Sequence, residues 1–223
     1  MKSKLFYSEA FIEIEKRIVK FLNSHPDLLS KDTVESPRAA GDAIENILSD
    51  NFEAIIGKYG ANCSSDFARR AMADIAFEDS DKFYYVVDVK THRTTTSFNM
   101  PNITSVERLA RFYEDDKNYF VILMVEYSVV SASGIKVTKA HFVPIEFLAW
   151  ECLTIGALGW GQIQIANSNN IVVKAGNSRK EWMLEFCDTL AAFYPREIEK
   201  IAKRVEYFEK VRMLWEKKTD VWK

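Results

Sequence analysis

The spacing of apolar positions changes several times along this chain, and each change predicts an element. Phe11, Ile14, Ile18, Phe21 and Leu22 recur at three- and four-residue steps, which predicts an amphipathic helix that ends before Pro26. After a polar loop, Pro37 opens a second helix running to about Gly57, with Ile44, Ile47, Leu48, Ile55 and Ile56 on its buried face. The period then shortens toward two. Residues 71–77 and 83–90 are aromatic and β-branched or small apolar runs around the polar cluster Glu78 to Lys82, a pattern that predicts a hairpin. Pro101 stops the polar segment that follows, and Thr104 or Ser105 can cap a short helix through Arg111 and Tyr113. Two strong strand runs come next, 119–130 and 135–143, joined through Ser133 and Gly134. A short helix is expected over 145–150 and a strand-like stretch within 158–170. Ser178 and Glu181 form a capping box that opens a helical tail, with an interruption expected at Pro195.

Strands mixed with helices in this order predict an α/β fold, a mixed central sheet flanked by helices, in a single domain over 1–223. A chain of 223 residues with 48% hydrophobic content can build one substantial core. A formal net charge of −2 sets this chain apart from bulk polyanion binders, so any DNA affinity must come from local patches and from acids neutralised by metal. Cys63, Cys152 and Cys187 are odd in number and far apart, and His25, His92 and His141 are equally scattered. Neither a disulfide framework nor a zinc site is indicated, which points to a reducing cytoplasm. No signal peptide or bilayer-length apolar run is read in the chain.

The predicted hairpin carries the candidate chemistry. If its turn is centred on Asp81, residue 75 faces residue 87, and Asp74 then faces Asp88. Opposed side chains share a face with Cβ atoms about 5 Å apart, and like charges there are destabilising. Alternation places Lys90 on the Asp88 face and turns Val87 and Val89 the other way. A divalent cation such as Mg2+ supplies a reason for two acids to stand together, because hard cations take carboxylate oxygens and keep water for chemistry. Lys90 can then hold or activate water and stabilise charge on a phosphate oxygen. The plain alternative is a solvated strand end, where Asp-x-Lys is common.

Asp74 followed after a hairpin by Asp88, Val89, Lys90 and Thr91 resembles the signature of the PD-(D/E)XK nucleases. The stretches Pro101 to Ser105, Gly161 to Ile165 and Ser178 to Trp182 are similar to one branch of that family, the type II restriction endonucleases of the HpaI, HincII and EcoRV kind. Together these cover roughly residues 38 to 200. Ala73 stands where the family's name has proline.

The resemblance implies a homodimer that binds Mg2+ through Asp74 and Asp88, uses Lys90 at the attacking water, and cuts short palindromic double-stranded DNA to blunt ends with 5′-phosphates. It also implies a cognate DNA methyltransferase in the same host. It favours Glu45 over its neighbour Asp42 as an acid near the metal, although a solvated helix flank is the usual fate of such residues. It places Asn102 near the bases and a base-reading segment at Gln162, Gln164 and Asn167, since amides pair with adenine edges. A turn would use the same asparagines, and is the preferred reading for Asn169 and Asn170. Thr91 and Arg93 begin a polar run to Asn99 with the donors of a phosphate-contacting loop, or of a plain surface loop. The N-terminal helix either joins a dimer interface or packs on its own core. From Arg196 to Lys223 nine basic residues face six acidic ones, a mixture typical of a solvated helix and compatible with phosphate contacts or with clamping a partner subunit. A repair or junction nuclease directed by structure or methylation, and a non-enzymatic DNA-binding protein with an Asp88–Lys90 ion pair, are the competing functions.

Overall fold

A computed structural model describes residues 2–25, 36–64, 73–131 and 134–220. Ala71 and Met72, read above as part of a strand, lie outside them. The chain forms two compact units, Met1–Trp182 and Met183–Lys223.

The first unit is mixed α/β, and both N-terminal helices follow the apolar spacing. Helix α1 (Ala10–Asn23) buries Phe11, Ile14, Ile18 and Leu22. Helix α2 (Pro37–Ile56) is capped by Ser36, whose side chain accepts from the Ala39 amide, and it buries Ile44, Leu48, Phe52, Ile55 and Ile56. Phe52 joins the stripe in place of Ile47, which is only half-buried. Its ring meets Phe77 and Phe142, and each such buried phenylalanine contributes about 1.5–3 kcal/mol.

Five strands form the main sheet in the order β1-β2-β3-β5-β6: β1 (Ala61–Ser64), β2 (Ile75–Glu78), β3 (Tyr84–Arg93), β5 (Asn118–Ser131) and β6 (Gly134–Pro144). Only β3 and β5 are parallel, and the crossover between them runs through β4 (Asn102–Ser105) and α3 (Val106–Phe112). Phe120 to Val125 of β5 are all buried, as expected of a strand covered on both faces. The β6 edge is closed by α1: Glu15 accepts from the Phe142 amide, and the Asn23 side chain pairs with both the amide and the carbonyl of Val137. An exposed edge strand is thereby blocked from pairing with another chain.

A second sheet, in the order β4-β8-β7, is antiparallel and joins β4 to β8 (Gln162–Ile165) and β7 (Leu153–Gly156). The spacing of apolar positions predicts no strand at β1, β4 or β7. Each is four residues long, too short to show a period. Two 3-10 turns, Ile145–Phe147 and Trp150–Cys152, replace the short helix expected over 145–150.

Helix α4 (Arg179–Glu216) begins in the first unit and makes up most of the second. It runs unbroken through Pro195, where an interruption was expected. Proline removes one backbone donor there, and the Arg196 guanidinium donates to the Ala192 carbonyl within the disturbed turn. Among the described residues no helix is long and apolar enough to cross a membrane.

Candidate active site

The site begins with a turn. Asp79 is buried, and one carboxylate oxygen accepts from the amides of Asp81 and Phe83 at 2.9 and 3.0 Å. The other accepts from the Tyr85 hydroxyl at 2.6 Å, and burial together with this bond pushes the Tyr85 phenol well above its ordinary range. Lys82 takes the left-handed conformation, with φ 64°, that the tight connection needs. This turn fixes the β2–β3 register at Ile75↔Val87 and Phe77↔Tyr85, the pairing the sequence predicts.

The regular ladder stops at Ile75. Asp74 donates its amide to the Val87 carbonyl, and its Oδ2 accepts from the Val89 amide at 2.6 Å. The carboxylate of Asp74 thus stands in for a missing ladder partner and is held against β3. Asp88 lies on β3 and is 5% exposed. Its Oδ1 accepts from Lys90 Nζ at 2.7 Å, while its Oδ2 is buried with no hydrogen-bond partner. Burial drives the Asp88 carboxyl up to about 7; Lys90 opposes that rise, and the charges of Asp74 and Glu45 add to it. Glu45 is likewise raised, by desolvation first and then by Asp74, with Lys90 pulling the other way. Three acids and one lysine from α2, the β2 hairpin and β3 therefore sit within electrostatic reach of one another.

Glu45 arrives there because α2 passes close over β3. A Cβ on Gly41 would lie 2.9 Å from Thr91 Oγ1, so any larger residue there would force that hydroxyl or the helix to shift. Gly41→Ala is expected to lower stability by about 1 kcal/mol through overpacking, and a Thr91→Ala partner change should restore it in a double-mutant cycle followed by urea unfolding.

A cation fits this donor set. Carboxylate oxygens are the ligands Mg2+ prefers, and a buried carboxylate oxygen without a partner is a group that such an ion would satisfy. Among the described residues no three His, Cys, Asp or Glu side chains are set as a ready cluster. Asp74 and Asp88 are the carboxylates that would hold such an ion.

The remaining candidates fall in three places. Thr91 and Arg93 belong to β3 rather than to a loop: Thr91 sets its hydroxyl toward α2, and Arg93 closes the strand with a buried, unpartnered Nε. Asn102 and Gln164 are register partners in the second sheet, and Gln164 Nε2 donates to Asn102 Oδ1 at 2.6 Å. Gly156 leaves room for that amide, since a Cβ there would come within 2.4 Å of Gln164 Oε1. Gln162 shares the Gln164 face, two residues away, while Ile163 and Ile165 are buried behind it. A cavity of about 460 Å³ adjoins Gln162 and is lined by Ser105, Arg108, Leu158 and Trp160 among others. Ser105 is the residue that caps α3, through the Arg108 amide. Asn167 is engaged locally, its Oδ1 accepting from the amide and the side chain of Asn169.

His92 was missed as a site residue, although its spacing two and four positions beyond Lys90 and Asp88 puts it on their face of β3. It is buried, its Nε2 stands 3.0 Å from Asn169 Oδ1, and its Nδ1 has no partner. Asn169 also donates to the carbonyls of Thr96 and Ser97, and so does more than form its own turn. It ties β3, the segment after it and the segment after β8 into one assembly. Asn169→Ala is expected to raise amide exchange at residues 94–97 by about tenfold, because buried His92 and half-buried Thr96 lose a partner, at about 1–3 kcal/mol for a buried group. Unchanged exchange there would show that this side chain does not hold the segment.

The protein defined by this fold and site is mixed α/β with an acidic, lysine-bearing strand at its centre. Comparison with protein-family models and with curated proteins gives no match.

Proposed function

We propose that this protein is a Mg2+-dependent type II restriction endonuclease that hydrolyses short palindromic sites in double-stranded DNA. The observation that carries this reading is the buried Asp88 Oδ2 with no hydrogen-bond partner, on a carboxyl that feels the charges of Lys90, Asp74 and Glu45. Burial raises two of these carboxyls, Asp88 and Glu45, and carboxyls perturbed in that way cluster at functional sites.

Asp74 and Asp88 would hold the ion, with Glu45 close to it. When bound, the ion supplies positive charge against the phosphate oxygens and lowers the pKa of nearby water. Lys90 is 20% exposed and anchored to Asp88, and it would supply its ammonium group to the attacking water and the scissile phosphate. There it holds the attacking water and offsets the negative charge that grows on phosphorus-bound oxygen. The water oxygen bonds to phosphorus, the bond to the 3′ oxygen breaks, and the products are a 3′-hydroxyl and a 5′-phosphate. The amide face of Gln162, Gln164 and Asn102 would be the base-contacting surface, with Asn167, Arg93 and Thr91 as further DNA contacts. Two subunits related by a two-fold axis would each cut one strand of a palindrome, to blunt ends. A host carrying such an enzyme needs a methyltransferase of matching specificity.

One observation favours a non-enzymatic DNA-binding protein: Lys90 is closed onto Asp88, and Asp74 is engaged with the Val89 amide. Incubation of the full chain with phage-length duplex DNA and Mg2+, followed by sequencing of fragment ends, separates the two. Discrete fragments from the wild type and none from Lys90→Ala support the nuclease. Intact DNA across metals and salt, with binding that survives chelation, supports the other reading.

A further inference from the structure

Helix α4 carries an apolar stripe that is independent of the acidic site. Ile198, Ile201, Val205, Phe208 and Trp215 fall at alternating steps of three and four residues, apart from one place taken by Arg212. Each of the five is more than half exposed, from 54% at Ile201 to 67% at Ile198. Steps of three and four sustained over three heptads are the seam of a two-helix coiled coil, with Ile198, Val205 and Arg212 in one core position and Ile201, Phe208 and Trp215 in the other.

We propose that this stripe pairs with the same stripe of a second copy of the chain, antiparallel, in a two-fold symmetric helical dimer. Charge selects the orientation. A parallel pair sets Arg212 against Arg212 of the second copy in the core, where like charges repel and lose water. The antiparallel register that opposes Ile198 to Trp215 sets Arg212 against Ile201 and Val205 against Phe208. It also brings Glu197 on the rim opposite Lys218, a residue whose ammonium lies over the Trp215 ring at 4.0 Å. No like charges meet on either rim in that register. Sliding by one heptad, so that Ile198 opposes Phe208, places Arg204 against itself and loses the Glu197–Lys218 pair. Sliding one heptad the other way, so that Val205 opposes Trp215, sets Arg204 against Lys218. The interface is thus self-complementary in one register only, as an isologous contact requires. A bilayer surface is a poor alternative occupant, because Arg212 interrupts the apolar seam and Glu197, Glu209 and Glu216 flank it.

The inference rests on α4 alone and stands whether or not the chain is a nuclease. Sedimentation velocity on the full-length protein is expected to give twice the mass of one chain, falling to a single chain in the Val205→Asp/Phe208→Asp variant with far-UV circular dichroism unchanged. Both positions are exposed, so the double change leaves the first unit folded. Orientation is read from cysteine pairs in a Cys187→Ser background. Ile198→Cys mixed with Trp215→Cys should cross-link on oxidation, and Ile198→Cys alone should not. A monomer at all concentrations, a dimer indifferent to the double aspartate, or self-linking of Ile198→Cys would each overturn the proposal.

Discussion

If the chain is the proposed nuclease, Asp88→Asn is expected to abolish DNA cleavage, by about 10³-fold or more, while making the metal-free protein more stable at neutral pH. The loss follows from removing a ligand charge and the anchor of Lys90 in one change. The gain follows from linkage. The Asp88 carboxyl is pushed from an ordinary 3.8 up to about 7 in the fold, chiefly by burial. Between those values the folded chain keeps a proton that the unfolded chain has released, so stability falls as pH rises from about 4 to about 7 and is level above. A shift of about three units corresponds to roughly 4 kcal/mol at most, at 1.36 kcal/mol per unit. Loss of the Lys90 partner offsets part of it, leaving the Asp88→Asn variant a net gain of about 2 kcal/mol at pH 8 and little difference at pH 4. Thermal unfolding of both proteins at the two pH values is the check. A wild type equally stable at pH 4 and pH 8 would sink the account of Asp88 as a carboxylate held at a cost. Mg2+ should narrow the pH 8 difference, because the ion stabilises only the chain that binds it.

Glu146→Ala is expected to cost about 3–5 kcal/mol, the largest stability loss among single changes outside the apolar core. Glu146 is fully buried, with one oxygen accepting from Arg179 Nε at 2.9 Å and the other from the Tyr113 hydroxyl at 2.7 Å. The Arg179 guanidinium lies over the rings of Tyr113 and Tyr119 at 4.3 and 4.1 Å and donates to the Asp116 carbonyl. Removing the carboxylate leaves that cation buried without its counter-charge. The urea midpoint should drop with the slope unchanged, and Glu146→Gln should recover only the Tyr113 bond. A loss below about 1 kcal/mol would mean that water reaches Arg179 and screens it. This pair fixes the first turn of α4 to the end of β6, where Pro144 is level with Val121 of β5 and Val87 of β3.

The elements whose signal is local were legible in the sequence. The apolar stripes of α1 and α2, the long runs of β5 and β6 and the β2–β3 hairpin all follow from spacings within a dozen residues. The hairpin register was legible as well, and with it the approach of Asp74 to Asp88. What fixes that register, the Asp79 carboxylate in the turn, was not, because an aspartate in a polar cluster looks the same whether it is solvated or buried against Tyr85. Thr91 and Arg93 were read as loop residues because their polarity outweighed the strand they extend.

By itself, then, the sequence determined the alternation along β3, which puts Asp88, Lys90 and His92 on one face, and the heptad spacing of α4, because both are periodicities of a single element. Only the tertiary structure decided that α2 brings Glu45 within electrostatic reach of Asp88 and Lys90, that Asn102 spends its side chain on Gln164 62 residues away, and that Asn169 holds His92. Those contacts join segments whose separation along the chain carries no periodic signal, and they form only once the two sheets have folded around their buried strands.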